Sequence, residues 1–287
     1  MKMKIKIAIS IILVTFLAQS CVETLADGDD FLLTDGGKSL EMYIPKGISI
    51  KDKTKNINIY AIEKMIISGS VGGHNLSFLR SLAGGSDSSF LGGSNLAILD
   101  LKRTIFYSND EVYYIRDNMP LKIKSTSGIP AYAFENCYVL SSIVLPDMYS
   151  PYNIEEGAFS GCFLLRYINW GRHVRIIKDE AFLDCSALAI GESLVLPDGV
   201  ISIGNRAFKN TIPSSLDLPS SVESIGHEAF STILGNVIIR AVNPPMIESD
   251  SFVFYKNSER ILFVPSESID KYQIEPYLSI FKEINAL

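Results

Sequence analysis

Histidines, cysteines, paired acids and glycine-rich loops are the groups that could do chemistry in this chain of 287 residues. Nucleophilic or acid–base catalysis needs a nucleophile beside a base, or two carboxylates facing one cleft. His74, His173 and His227 lie far apart in the sequence. None belongs to a Gly-x-Ser-x-Gly elbow, a His-Glu-x-x-His helix or a nucleotide-binding loop. Glu155-Glu156 and Asp179-Glu180 occupy variable positions of a repeated pattern and read as a solvated face. The stretches GSVGGHN (69–75) and AGGSDSSFLGG (83–93) lack the Gly-Lys-Ser/Thr that completes a phosphate cradle. The acidic run DGDD (27–30) lacks the ligand spacing and closing Glu of an EF-hand loop, and reads as solvated linker. The sequence therefore offers no catalytic residue, no cofactor site and no metal site, and the chain reads as a non-enzyme.

The cysteines point to what must position these residues. Cys137, Cys162 and Cys185 each follow a phenylalanine by three residues, at spacings of 25 and 23 that match no zinc pattern. They mark the register of a repeat and are expected as small, buried, reduced thiols. The repeat itself is Ile, three variable residues, a small residue and Phe. It is written as IPAYAF, IEEGAF, IKDEAF, IGNRAF, IGHEAF and IESDSF, ending at Phe134, Phe159, Phe182, Phe208, Phe230 and Phe252. Short alternating runs recur at the same period: Ile143/Leu145, Ile168/Trp170, Leu194/Leu196, Leu216/Leu218 and Leu262/Val264, most of them closed by Pro or Gly. These read as strands, because side chains two apart share a face and Pro cannot donate to a ladder. Each unit is thus a strand, a turn, an extended return carrying the Ile, and one helical turn carrying Ala-Phe. A single unit cannot bury its apolar side chains, whereas stacked units can.

The first 20 residues carry Lys2, Lys4 and Lys6 followed by an apolar run from Ile7 to Ala18, too short to span a membrane. This is the layout of a secretory signal. The junction LAQSC resembles a bacterial lipobox, which implies acylation of Cys21; an ordinary signal peptide cut nearby is the alternative. Without residues 1–20 the chain has 23 basic against 32 acidic side chains, a charge of −9. So acidic a chain, with no basic run, is ill suited to nucleic acid.

The rhythm I-x-x-x-A-F, C-x-x-L-x-x-I-x-L-P resembles the BspA-like (Treponema-type) leucine-rich repeats of bacterial surface lipoproteins. The resemblance spans residues 58–287 and includes NLAILDLKRTIFY (95–107) upstream and VPSESIDKYQIEPYLSIFKEI (264–284) downstream. It implies an α/β repeat solenoid: a right-handed leucine-rich-repeat superhelix, with a parallel sheet on the concave face and short helical turns opposite. The expected layout is a signal peptide (1–20), a lipidated Cys and tether or N-terminal segment (21–50), N-terminal capping rungs (51–125), repeats (126–264) and a C-terminal cap (265–287). Ile269, Tyr272, Tyr277, Phe281 and Ile284 are expected to seal the C-terminal end.

Parity assigns the outward positions of the strands. Val144, Tyr167, Asn169, Val195, Asp217, Ile238, Arg240 and Phe263 are the candidate partner-binding residues, with ordinary surface as the competing reading. Trp170 falls on the inward parity and is assigned to the core. The family likeness implies cell-surface adhesion through a protein ligand on a host or neighbouring cell, with membrane attachment at Cys21. A glycan-binding accessory lipoprotein of a nutrient-uptake system is the alternative.

Overall fold

The computed structural model describes residues 31–85, 93–124, 128–230, 233–248, 250–252 and 260–287. The signal segment, Cys21 and the acidic run to Asp30 lie outside the described residues. Strand β1 (Phe31–Thr34) folds back antiparallel on β2 (Ser39–Ile44), where Leu40, Met42 and Ile44 are buried between exposed Glu41 and Tyr43. After α1 (Ile50–Lys53), β3 (Lys64–Val71) pairs parallel with β2; after α2 (Gly73–Leu82), β4 (Ile98–Phe106) pairs parallel with β3. A hairpin of β5 (Val112–Arg116) and β6 (Met119–Lys122) precedes the repeats.

The repeats then lay down two short strands per rung in strict alternation. They are β7 (Gly128–Ile129), β8 (Ser142–Val144), β9 (Tyr152–Ile154), β10 (Tyr167–Asn169), β11 (Val174–Ile177) and β12 (Ser193–Val195). They continue as β13 (Ser202–Ile203), β14 (Ser215–Leu218), β15 (Ser224–Ile225), β16 (Val237–Ile239), β17 (Met246–Ile247) and β18 (Ile261–Val264). The chain ends with α3 (Ile269–Gln273) and β19 (Glu283–Ala286), the latter parallel to β18.

Odd strands from β7 to β17 form one continuous parallel sheet, in sequence order. The even strands do not: β4, β8 and β10 close one sheet, and β12, β14, β16 and β18 belong to another. Between the strand series runs a single file of rings. Phe134, Phe159, Phe182, Phe208, Phe230 and Phe252 stack with centroids 5.5, 5.1, 5.1, 5.3 and 5.7 Å apart. The alanine before Phe in the first five rungs is fully buried, which leaves no room for a larger side chain.

The Ala-Phe segments are not helical turns. In the first four rungs the residues two before and two after the Phe take positive φ: Tyr132 and Asn136, Gly157 and Gly161, Glu180 and Asp184, Arg206 and Asn210; in the fifth rung Glu228 does so before it. Such a residue every fourth position stops any right-handed helix. Hydrogen bonds alternate instead between local turns and the next rung. Cys137 N–H donates to Phe134 C=O at 3.2 Å, while Phe134 N–H donates to Ala158 C=O at 2.7 Å and Asn136 N–H to Ser160 C=O at 2.8 Å. The opposite side of the solenoid is a ladder of turns.

That ladder leaves carbonyls without a donor in its first rung, and buried cap groups supply them. Arg80, 4% exposed on α2, donates to the carbonyls of Ala133 and Glu135 at 2.9 and 3.2 Å, and to Tyr132 at 2.6 Å. Tyr113 O–H donates to the Ala131 carbonyl at 2.5 Å. At the other end Tyr272, Leu278 and Phe281 are buried, with Ile269 and Ile284 partly so. Tyr277 is 46% exposed, and its neighbour Leu278 fills the position expected for it.

Candidate functional site

The even strands present their outward positions in rows. Val195, Asp217, Ile238 and Phe263 align across β12, β14, β16 and β18; Asn169 aligns with Val144 and Asp100 across β10, β8 and β4. Tyr167 and Val195 are 50% and 53% exposed, Asn169 and Arg240 are exposed, and Val144, Asp217, Ile238 and Phe263 are half-buried. Arg240 is not free: its Nε and Nη2 donate to Asp217 Oδ1 and Oδ2 at 2.8 and 2.7 Å. That paired hydrogen bond, with the Asp217 charge, raises the guanidinium pKa further. The face therefore divides into a hydrocarbon row, an internally neutralised Asp217–Arg240 pair and a separate aromatic patch.

The aromatic patch lies where the even-strand sheet breaks. No ladder joins β10 to β12, and their Cα atoms lie mostly more than 8 Å apart. On the other strand series β9, β11 and β13 stay paired, and Phe159, Phe182 and Phe208 keep 5.1 Å spacing, so the opening is confined to one face. Its cause is local. The unit from Phe182 to Phe208 has the longest repeat spacing, 26 residues, and the surplus forms a kink. Ala189 and Gly191 take φ of 52° and 76°, and Ile190 bridges forward to Pro213. The surplus falls around Gly191-Glu192-Ser193, just before β12.

The opening is a cavity of about 370 Å³, lined by Tyr167, Trp170, Leu188 and Val195, with Arg166, Glu192 and Ser193 at its polar margin. Trp170 was assigned to the core by parity. Its ring does meet the Phe182 ring edge-on at 5.5 Å, but the residue is only half-buried and forms one wall of the cavity. Arg166, absent from the sequence-derived set, reaches over the Tyr167 ring at 5.5 Å. The signal that could have exposed both was the surplus length of the following unit.

The groups considered for chemistry are dispersed. His227 Nδ1 lies 2.6 Å from Asp250 and His74 Nδ1 3.3 Å from Glu111, each an exposed pair with no cysteine or serine nucleophile in it. The thiols of Cys162 and Cys185 donate to the carbonyls of Phe134 and Phe159 at 3.0 and 3.1 Å. Burial pushes the Cys137 thiol up to about 11 and raises the other two well above the ordinary range. Among the described residues, no cluster of three His, Cys, Asp or Glu is arranged to hold a metal, and no helix is long and apolar enough to cross a membrane.

Comparison with known families agrees with this geometry. The BspA-type leucine-rich-repeat model matches in six copies over residues 38–151, 118–233 and 190–277. The chain belongs to that family. Similar solved structures include the T. pallidum leucine-rich-repeat protein, 18% identical over 76% of this chain and 71% of that one, TM-score 0.34. The pneumococcal vaccine antigen PcpA is 15% identical over 86% and 67%, TM-score 0.44. A leucine-rich cell surface protein of Faecalibacterium prausnitzii is 16% identical over 94% and 96%, TM-score 0.24. No curated protein sequence matches significantly.

Proposed function

We propose that this BspA-type repeat protein is a non-enzymatic cell-surface binding and adhesion protein. Its even-strand face, the concave side of a right-handed solenoid, engages a protein ligand on a host or neighbouring cell. The observation that carries this reading is the opening between β10 and β12. It gathers Tyr167, Trp170 and Arg166, residue types that dominate binding energetics, in one concavity on an acidic solenoid. The signal-like segment and the lipobox-like junction at Cys21 support attachment as an outer-membrane or cell-surface lipoprotein, with residues 22–30 as the tether. Surface plasmon resonance of the purified chain against extracellular-matrix and cell-surface proteins should give saturable binding, weakened at least fivefold by Tyr167→Ala with an unchanged melt. No saturable binding to any of them sinks the proposal. Labelled palmitate should enter the wild-type protein in its host cell and not the Cys21→Ala variant.

One observation favours a second reading. Two aromatic rings beside Arg166, Glu192 and Ser193 also form the kind of platform that stacks sugars. A glycan array run beside the protein panel separates the two, because only the glycan reading gives selective array signals that Tyr167→Ala removes.

A further inference from the structure

We propose that the opening between β10 and β12 accepts an extended segment of the partner, which enters as a strand and joins the two halves of the even-strand sheet. This deepens the protein-binding reading above and rests on it.

The backbone makes the case. Tyr167 N–H donates to Ser141 C=O at 3.2 Å, and Asn169 C=O accepts from Leu145 N–H at 2.9 Å, so both residues direct their polar groups toward β8. Backbone groups alternate sides along a strand, so Ile168 and Trp170 turn theirs the other way, into the opening. Across it, Glu192 C=O accepts from Ser214 N–H at 2.8 Å and Leu196 N–H donates to Asp217 C=O at 3.0 Å. Ser193 and Val195 therefore direct their N–H and C=O groups into the same opening. Two facing rows of peptide groups without a partner among the described residues are what an intercalated strand needs on its two sides.

Paired strands sit about 4.8 Å apart, so one intercalated strand needs about 9.6 Å between its neighbours. The Cα separations between β10 and β12, mostly beyond 8 Å, exclude direct pairing of the two strands. The opening is pinned at the Arg166 end, where Ala189 N–H donates to Arg166 C=O at 3.3 Å. A sugar offers no row of donors and acceptors at strand period, whereas any extended polypeptide does. Tyr167 and Val195 flank the opening on its outer side and favour apolar side chains there. Arg166 has no carboxylate within ion-pair distance among the described residues and favours an acid at the pinned end.

The test uses random peptides displayed on phage, panned against the full purified chain and remade as free peptides for fluorescence anisotropy. Val195→Pro removes an N–H aimed into the opening; β12 is an edge strand there, so its ladder with β14 survives. Strand entry predicts enriched peptides, about tenfold weaker binding to V195P, and loss of affinity on N-methylating every second peptide amide but not the intervening ones. The N-methyl series is read on the wild-type protein, so it stands whether or not V195P folds. Affinity that V195P and N-methylation both leave unchanged overturns strand entry. If Tyr167→Ala still weakens that binding, the face survives as a protein-binding surface; if it does not, the face falls too. Failure to enrich any peptide also overturns strand entry, and the plasmon-resonance panel then decides the face independently.

Discussion

Phe182 and Phe208 each sit between two stacked neighbours at 5.1–5.3 Å, with no exposed surface. Truncating either to Ala removes a ring from the middle of the file, and the flanking rings are held by their own rungs and cannot collapse into the void. Denaturant titration should show a loss of about 3–5 kcal/mol for each. Arg80 is a different kind of key residue. It is a buried cation with no carboxylate in its polar contacts, and it is satisfied by three carbonyls and the face of Tyr114 at 3.8 Å. Arg80→Met keeps the volume and deletes the donors, leaving the Ala133 and Glu135 carbonyls of the first rung without their donor. A loss of about 3 kcal/mol in the same titration follows, since each buried unsatisfied group costs about 1–3 kcal/mol. The Phe file could be read from sequence, because spacing and residue type alone require it. Arg80 could not, because a lone Arg on a Leu-x-x-Leu helix looks like solvated surface until the carbonyls it meets, some 52 residues later, are in place.

At the scale of elements, the turn ladder is where sequence reading and structure part. The sequence pattern suggests one helical turn at Ala-Phe, and the structure has a non-helical turn there instead. The deciding signal sat two residues after the Phe in the first four rungs, where Asn136, Gly161, Asp184 and Asn210 are the types that tolerate a left-handed backbone. Gly161 tests this by sign. In a helix interior Gly to Ala stabilises by about 1 kcal/mol. Here φ is +73° and an added Cβ would clash with Asn136 Oδ1, so Gly161→Ala should lower the melting temperature instead. A raised melting temperature would restore the helix. The split between β10 and β12 was half legible. The surplus residues around Gly191 were visible, but how the sheet would absorb them was not, because a kink, a bulge and a parted ladder all accommodate the same count.

Considered as a whole, the molecule is a stack whose rungs share one hydrophobic column and whose two ends are closed differently, by Arg80 and Tyr113 at the start and by Tyr272, Phe281 and β19 at the finish. Nearest-neighbour stability of this kind makes an uncapped end adhesive. Ending the chain after Val264 bares the β18 edge and the Phe252 ring, which otherwise meets Phe281 edge-on at 5.9 Å. Light scattering should then report self-association that the full chain does not show.

The three sulfurs locked into the column carry one more consequence. Cys137, Cys162 and Cys185 show no exposed surface to oxidants or thiol-exchanging enzymes. They are thus a tamper seal on three consecutive rungs. Iodoacetamide at neutral pH should leave all three untouched in intact molecules, and alkylate them together, at one rate, only when the column parts.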